Sequence, residues 1–128
     1  MKDVLEGFEQ RIPIRKSAAI ACRRWISSLA LPLPSERRSD LVFLANELVT
    51  NAVIHARGAD AVSVSVEVYS AAVRVTVTHD GVGDFLDFSE EPAPMETSGR
   101  GLMLVKTISS RCGAWQLRGS SVWFEIDR

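Results

Sequence analysis

The sequence predicts a two-layer α/β sandwich in which helices cover one face of a mainly antiparallel, mixed sheet. Two stretches, residues 16–29 and 35–56, carry apolar side chains at helical spacing. Two further pairs of short segments alternate between apolar and polar residues, which predicts two strand hairpins. Because each predicted strand is apolar on one side only, the helices are expected to cover that side.

The N-terminal part of the chain predicts an edge strand followed by a helix. Ile12 and Ile14 alternate around Pro13, and proline within a strand pattern is typical of an edge strand. Residues 16–29 then predict a helix that ends before Pro32 and Pro34. The apolar side of this helix is formed by Ala18, Ala19, Cys22, Trp25, Ile26 and Leu29.

A long second helix is predicted from Ser35 to residue 56. Serine is a favoured residue at a helix N-terminus, and Gly58 lies just beyond the last helical position. One side of the helix is apolar, which predicts that this side packs on the sheet. The residues on that side are Leu41, Leu44, Ala45, Leu48, Ala52 and Val53.

Two hairpins and a third helix complete the predicted fold. Residues 62–68 and 73–78 form the first hairpin, and residues 115–117 and 122–126 form the second, with its turn at Gly119 and Ser120. Between them lies a loop at residues 81–99, rich in Gly, Pro, Ser and acidic residues, whose length is typical of a functional lid. A helix is predicted from residue 102 to residue 110.

Chain length and composition exclude several classes of protein. The 128 residues predict one domain spanning 1–128, and a net charge of −1 argues against direct nucleic acid binding. No apolar run approaches the ~18 residues of a membrane span. The N-terminus lacks an apolar signal core, and two cysteines are too few for a disulfide framework. We therefore expect a cytoplasmic protein without a membrane segment.

The two cysteines are expected to be reduced and partly buried. A zinc site would have to combine four scattered residues, and none of them shows the close pair spacing that zinc sites use. These residues are Cys22, His55, His79 and Cys112. The sequence therefore favours structural thiols.

Three polar residues interrupt the flank of the long helix. Glu47, Asn51 and His55 are spaced four apart and therefore share one face. A solvated stripe is the ordinary explanation of such a pattern. Two glycine pairs favour a functional explanation of the stripe instead. Gly81 and Gly83 follow a predicted strand, and Gly99 and Gly101 precede a predicted helix. Glycines at a helix start let an anion approach the free N–H groups there.

These segments resemble the motifs of the GHKL, or Bergerat-fold, ATPases. Residues 47–52 (Glu-Leu-Val-Thr-Asn-Ala) are similar to the N box, residues 77–83 to the first glycine box, and residues 99–105 to the second. The three motifs occur in the family order, with a lid loop between the glycine boxes. The resemblance covers residues 35–128 and implies the Bergerat ATP-binding fold. The small size of the chain points to the stand-alone anti-sigma factor serine/threonine kinases of bacterial partner-switching systems.

The resemblance implies roles for individual residues. Glu47 corresponds to the general base that acts on the acceptor hydroxyl, and Asn51 to the residue that holds Mg²⁺ against the ATP phosphates. Gly81 and Gly83 would border the adenine pocket. Backbone N–H groups around the second glycine box would hold the phosphates, from Gly99, Arg100, Gly101 and Leu102.

The first glycine box departs from the family pattern at its first residue. The family has an aspartate there, whose carboxylate accepts a hydrogen bond from the adenine amino group. This chain has His79 at that position and an acid one residue later, Asp80. Strand alternation predicts that His79 shares the face of Val77 while Asp80 opposes it, and a bulge at the strand end would exchange them. We hypothesise that Asp80 makes the adenine contact through such a bulge.

The resemblance also implies partners and a homodimer. A sigma factor would be held by this chain, and an anti-anti-sigma protein would be phosphorylated by it on serine or threonine. Arg23 or Arg24 on the first helix would contribute to the partner interface, unless they belong to a solvated basic face. The segment around Ile12 to Ile14 is a candidate dimer contact.

Two alternatives remain open from the sequence. One is the same fold with a degraded nucleotide site that sequesters a partner without phosphorylating it, and His79 favours that alternative. The other is an ATPase or kinase domain in a different signalling role. The presence of Glu47, Asn51 and the second glycine box favours the kinase over a degraded site.

Overall fold

The computed structural model describes residues 3–56, 58–81, 97–116 and 120–128, and for residues 97–102, 115 and 116 it describes the backbone. The chain folds into five strands and three helices over these residues. In order they are β1 (Glu6–Pro13), α1 (Ala18–Ser27), α2 (Ser35–His55), β2 (Ala61–Val68), β3 (Ala72–His79), α3 (Thr97–Ile108), β4 (Arg111–Gln116) and β5 (Ser120–Asp127).

The five strands form one sheet in the order β1-β2-β3-β5-β4. Each of the four pairings is antiparallel, so the described sheet is antiparallel throughout rather than mixed. Both predicted hairpins are present, with Val66 opposite Val75 in the first and Ala114 opposite Val122 in the second. The two-layer α/β architecture is confirmed.

The hydrophobic core lies between the sheet and the helices. Alternate residues of β2 and β3 are buried, and the residues between them are only half-buried, as expected for a sheet that is covered on one face. Phe124 on β5 is the largest completely buried side chain among those the structure describes. Helix α2 packs against α1, α3 and β3, so it is the central helix of the second layer.

The N-terminal edge strand is longer than its sequence pattern indicates. It runs from Glu6 to Pro13 and pairs with β2 along its whole length. Only Ile12 is buried in it, and Phe8 is half-buried. Because most of its side chains are exposed, its period of two is hard to see in the sequence. Pro13 is its last residue, where the missing N–H disturbs the pairing least.

Helix α2 begins at Ser35 without the predicted serine cap. The N-cap is Pro34, whose extended backbone (φ −58°, ψ 154°) leads directly into the helix, and no side chain caps it. The carbonyl of Pro34 accepts the N–H of Arg38 at 2.9 Å. Ser35 is therefore the first helical residue. At the other end, Gly58 adopts φ +79°, which a residue with a side chain adopts only with strain.

Helix α3 begins five residues earlier than predicted, at Thr97 rather than at residue 102. The two glycines at its start lower helix propensity, and a sequence pattern therefore places the boundary too late. Gly99 and Arg100 lie in the first turn, and Gly101 and Leu102 begin the second. Three predicted features lie outside the described residues: most of the lid loop, the strand residue Leu117, and the hairpin turn residue Gly119.

Both cysteines are free thiols, as predicted. Cys22 lies in the core beneath α1, and burial raises the pKa of its thiol to about 12. Cys112 on β4 is half-buried. None of the helices in the described ranges combines the length and the hydropathy that a membrane span requires.

The outer face of the sheet carries a charged cluster centred on Glu125. Its carboxylate accepts hydrogen bonds from Arg74 at 2.9 Å and from Arg111 at 2.6 Å. Burial alone raises the pKa of Glu125, but the hydrogen bonds from Arg111 and Arg74 outweigh burial and lower it below its ordinary value. Arg74 also lies over the ring of Trp123, 4.5 Å from the ring centroid. The cluster joins β3, β5 and β4 across the solvent-facing side.

Replacing Gly113 with alanine is expected to destabilise the sheet, because a Cβ atom there would lie 2.8 Å from Nε1 of Trp123. Overpacking of this kind costs about 1–3 kcal/mol, which urea denaturation would measure. Gly7→Ala is the matched control on β1. Its Cβ would meet only Val4 at 3.9 Å, an ordinary contact. Equal stability of the two variants would contradict the close approach at Trp123.

Candidate functional site

The C-terminal ends of α2 and β3 meet at one end of the sheet. Helix α2 ends at His55, and β2 begins six residues later at Ala61. Ser63, near the start of β2, pairs with Thr78, near the end of β3. A connection this short keeps the last turn of α2 close to the start of β2. The end of β3 is therefore near the last turns of α2.

The glycine-rich start of α3 points toward the same end of the sheet. After α3, Ser110 donates its N–H to the carbonyl of Glu125 at 2.8 Å, and Glu125 pairs with Arg74 near the start of β3. The C-terminus of α3 is thus at the far end. A helix of 12 residues is about 18 Å long, and α3 packs along α2. Its N-terminal turn, with Gly99 and Arg100, leads back toward His79.

Asn51 is a buried side chain to which the described residues offer no hydrogen-bond partner. It is 1% exposed, and neither its Oδ1 nor its Nδ2 has a partner within the described ranges. An unsatisfied buried polar group costs about 1–3 kcal/mol, and such groups mark functional positions. His55, one turn further along α2, also has a buried Nε2 that no described residue contacts by a hydrogen bond. The face predicted from the sequence therefore carries unsatisfied groups rather than a solvated stripe.

Glu47 lies one turn before Asn51 on this face. Its side chain is half-buried, and desolvation raises the pKa of its carboxyl above its ordinary value. A carboxylate with a raised pKa binds a proton more tightly and is a stronger base once ionised. The three residues of the face span about 12 Å along α2. The helix thus places this carboxyl group at one end of a row that continues with the unsatisfied polar atoms of Asn51 and His55.

The register of β3 places His79 inside and Asp80 outside. The pairings with β2 and β5 continue without interruption to Thr78 and His79. His79 is 2% exposed, and Asp80 lies beyond the strand and is exposed. The hypothesis that a bulge turns Asp80 inward is therefore wrong, because nothing in β3 shifts the alternation. The predicted strand parity is confirmed.

The ring of His79 is oriented by its own turn. Nδ1 accepts a hydrogen bond from the backbone N–H of Gly81 at 3.3 Å. Gly81 is the first glycine of the predicted box, and Gly83 lies outside the described residues. Gly81 and His79 are therefore joined directly by this hydrogen bond.

A groove between α1 and α2 was not predicted from the sequence. It encloses about 360 Å³ and is lined by Arg23, Ser27, Arg38, Ser39, Val42, Phe43 and Asn46. Phe43 is 44% exposed, and Oδ1 of Asn46 is buried with no partner in the described part of the chain. Arg24 is exposed and does not line it.

The described residues offer a limited donor set for a metal ion. No group of three or more His, Cys, Asp or Glu side chains among them could hold one. Asn51 is different, because its amide oxygen is an unsatisfied hard ligand of the kind Mg²⁺ accepts. Mg²⁺ usually takes only one or two protein ligands when nucleotide phosphates supply others. Oδ1 of Asn51 could therefore serve as one such protein ligand.

Comparison with known proteins gives matches along most of the chain. The sequence profile of the histidine kinase-like ATPase domain matches residues 12–126. The anti-sigma F factor of Pasteuria penetrans is 39% identical over 85 residues, which are 63% of this chain and 55% of that protein. The chain thus aligns with about half the length of that relative.

Two solved structures share the fold. A blue-light activated histidine kinase of Erythrobacter litoralis is 23% identical, with a TM-score of 0.60 over 84% of this chain and 38% of its own. The histidine kinase domain of that protein is 24% identical, with a TM-score of 0.58 over 85% of this chain and 57% of its own. At these identities the likeness concerns the fold alone.

Proposed function

Because this chain belongs to the histidine kinase-like ATPase domain family, we propose that it binds ATP and Mg²⁺ where β3 ends beside α2. We further propose that it is an anti-sigma factor and a protein serine/threonine kinase. In this role it holds a sigma factor and phosphorylates an anti-anti-sigma protein. The similarity to the anti-sigma F factor of Pasteuria penetrans supports this role.

The observation that carries the proposal is the unsatisfied amide of Asn51. A chain that buries this group without a partner loses stability, unless a ligand completes its hydrogen bonds or coordination. In the proposed site, Oδ1 of Asn51 holds Mg²⁺ against the nucleotide phosphates. The bound magnesium nucleotide supplies the γ-phosphoryl group and neutralises charge as that group is transferred.

The remaining residues act on the acceptor and the phosphates. Glu47 accepts the proton of the serine or threonine hydroxyl, and its half-buried position excludes much of the water that would weaken it as a base. Gly99 and Arg100 present backbone N–H groups of the first helical turn, which attract phosphate. Gly101 and Leu102 follow in the next turn and shape the helix start. Gly81 and Gly83 border the base.

The groove between α1 and α2 supports a protein partner at these two helices. Its described lining contains two arginines and no acidic residue, and its exposed Phe43 adds an apolar contact. Arg23 is thus the better candidate of the two α1 arginines for a partner interface. The open edge of β1, where main-chain groups lack a strand partner among the described residues, supports a homodimer. We expect the complex in the cytoplasm.

The second candidate function is sequestration without phosphorylation, and the replacement of the family aspartate by His79 favours it. Calorimetric titration with ATP, with and without Mg²⁺, separates the two candidates. We expect micromolar, magnesium-dependent binding. Absence of binding up to millimolar ATP would exclude the kinase and leave the sequestering protein.

Phosphorylation itself needs a second assay. The purified chain is incubated with magnesium ATP and each anti-anti-sigma protein encoded in the same genome, and mass spectrometry locates the modified residue. We expect phosphoserine or phosphothreonine on one of these proteins. Tight nucleotide binding with no phosphorylated protein would contradict the kinase assignment.

A further inference from the structure

The groove between α1 and α2 indicates which part of a protein partner this chain holds. We propose that it binds an acidic segment of the partner, in which carboxylate side chains flank an apolar one. The carboxylates pair with Arg23 and Arg38, and the apolar side chain packs against Phe43. This inference rests on the proposed function in one respect, since it takes the segment from the sigma factor or the anti-anti-sigma protein.

The part of the chain that forms the groove is basic, although the chain as a whole is not. Residues 15–46 contain six lysines and arginines and two acidic residues, while the whole chain has a net charge of −1. Helix α1 contains no acidic residue. A negatively charged segment is therefore attracted to this part of the molecule, and a basic segment is repelled.

The two arginines of the groove carry charges that no described acid neutralises. Arg37, beside them on α2, pairs with Asp40 at 3.0 Å. Arg38 instead donates Nη2 to the carbonyl of Leu31 at 2.8 Å, and its buried Nε has no partner in the described part of the chain. Arg23 is exposed and makes no ion pair within the described ranges. A guanidinium already held by a backbone carbonyl loses little conformational freedom when it binds a carboxylate.

An apolar stretch and an unused acceptor follow Arg38 along α2. Val42 and Phe43 lie about one turn further on, and Phe43 is 44% exposed. Asn46 lies one turn beyond them, and its buried Oδ1 has no described partner. Arg38 and Asn46 are eight positions apart, which is about 12 Å along a helix. A short peptide segment fits this order, because it supplies carboxylates, an apolar side chain and N–H donors together.

A nucleic acid is the other class of ligand that two arginines attract. Its phosphates would match Arg23 and Arg38, but they offer nothing to the apolar stretch at Val42 and Phe43. The net charge of −1 also disfavours the approach of a polyanion to the chain as a whole. The groove therefore favours a protein segment.

Synthetic peptides test this inference on the whole chain. Peptides of about 15 residues, ~22 Å long as a helix, are tiled across every sigma factor and anti-anti-sigma protein encoded in the same genome. Each is labelled with fluorescein, and its binding is measured by fluorescence anisotropy. We expect the tightest peptide to contain acidic residues on both sides of an apolar one and to bind less tightly as salt is raised. Replacing its acidic residues with amides should weaken binding by about tenfold or more.

Arg23→Glu and Arg24→Glu form the decisive pair, because both change the net charge equally while Arg23 alone of the two lines the groove. We expect Arg23→Glu to weaken peptide binding by about tenfold or more and Arg24→Glu by less than about threefold. A peptide with lysine at the paired acidic position should bind Arg23→Glu more tightly than the original peptide does. Phe43→Ser should also weaken binding, and Ile54→Ser, at another exposed apolar residue of α2, should not. Thermal melting checks that the variants fold.

Each outcome has a distinct meaning. If no peptide binds, or if the two arginine variants weaken binding equally, the inference is wrong, and magnesium-dependent ATP binding would still support the proposed function. A labelled single-stranded RNA that binds with the same difference between the two variants would also overturn the inference, because the groove would then hold a nucleic acid. If acidic peptides bind as expected but the chain binds no magnesium ATP, the kinase proposal fails and the inference stands for a sequestering protein.

Discussion

Glu47→Gln is expected to lower phosphoryl transfer to the acceptor protein by about 10²–10⁴-fold, the usual contribution of a general base. Glutamine keeps the shape of the side chain but cannot accept the hydroxyl proton. Magnesium nucleotide binding should be unchanged, because Asn51 and the start of α3 make the phosphate contacts in the proposed site. The measurement is the single-turnover rate with saturating ATP.

The pH dependence provides an independent check. Burial raises the pKa of Glu47, so the carboxyl is protonated over a wider acidic range than an exposed glutamate. The rate should therefore fall as the pH is lowered through this raised pKa, and it should be restored as the pH rises. Glu47→Gln should lose this acidic limb. An unchanged profile in the variant would assign the limb to another group.

Stability separates a catalytic role of Glu47 from a structural one. Ionised Glu47 is partly desolvated, so replacing it with a neutral amide should leave the melting temperature equal or higher at neutral pH. Glu36→Gln is the matched control, since Glu36 is exposed in the first turn of the same helix. That control should retain full activity. A Glu47→Gln protein that loses activity and also melts earlier would indicate structural damage.

Asn51→Leu is expected to change stability and binding in opposite directions. Leucine has the same branched skeleton and no polar atoms, so it removes two unsatisfied groups from the core. The free energy of unfolding should rise by about 1–3 kcal/mol in the absence of nucleotide. Affinity for magnesium ATP should fall by roughly ten- to a hundredfold, because the charged complex loses a direct contact. Urea denaturation and calorimetry measure the two effects.

Asn46→Leu is the control for this prediction. Asn46 is on the same helix and also has an unsatisfied Oδ1, but it lines the groove between α1 and α2. This variant should keep its affinity for magnesium ATP. If Asn51→Leu were less stable and still bound nucleotide in a magnesium-dependent manner, the unsatisfied amide would have no role in binding.

One part of the candidate site, the polar face of α2, was predictable because helical spacing alone determines which residues share a face. The four-residue spacing of Glu47, Asn51 and His55 places them together on α2, and the structure confirms this arrangement. The lack of partners for Asn51 and for Nε2 of His55 among the described residues was not predictable, because it depends on what the rest of the fold places around them. The groove between α1 and α2 was missed for the same reason. Its signal in the sequence was that Phe43 shares a helix face with the polar residues Ser39 and Asn46.

Periodicity by itself determined the main elements of this protein. The alternation of valines determined β2, β3 and their hairpin, and the three- and four-residue spacing determined α1 and α2, because one face of each element must be buried in a two-layer fold. The inward position of His79 followed from the same alternation.

Only the tertiary structure decided the ends of elements and the state of the side chains there. Pro34 rather than the side chain of Ser35 starts α2, and α3 includes the glycines that the sequence pattern placed before it. Gly81 donates its N–H to Nδ1 of His79, and Asn51 has no partner among the residues that the structure describes. These features depend on single hydrogen bonds between segments that are distant in sequence or at the ends of elements. The periodicity of apolar residues carries no information about such bonds, because it is a property of a whole helix or strand and not of a single position.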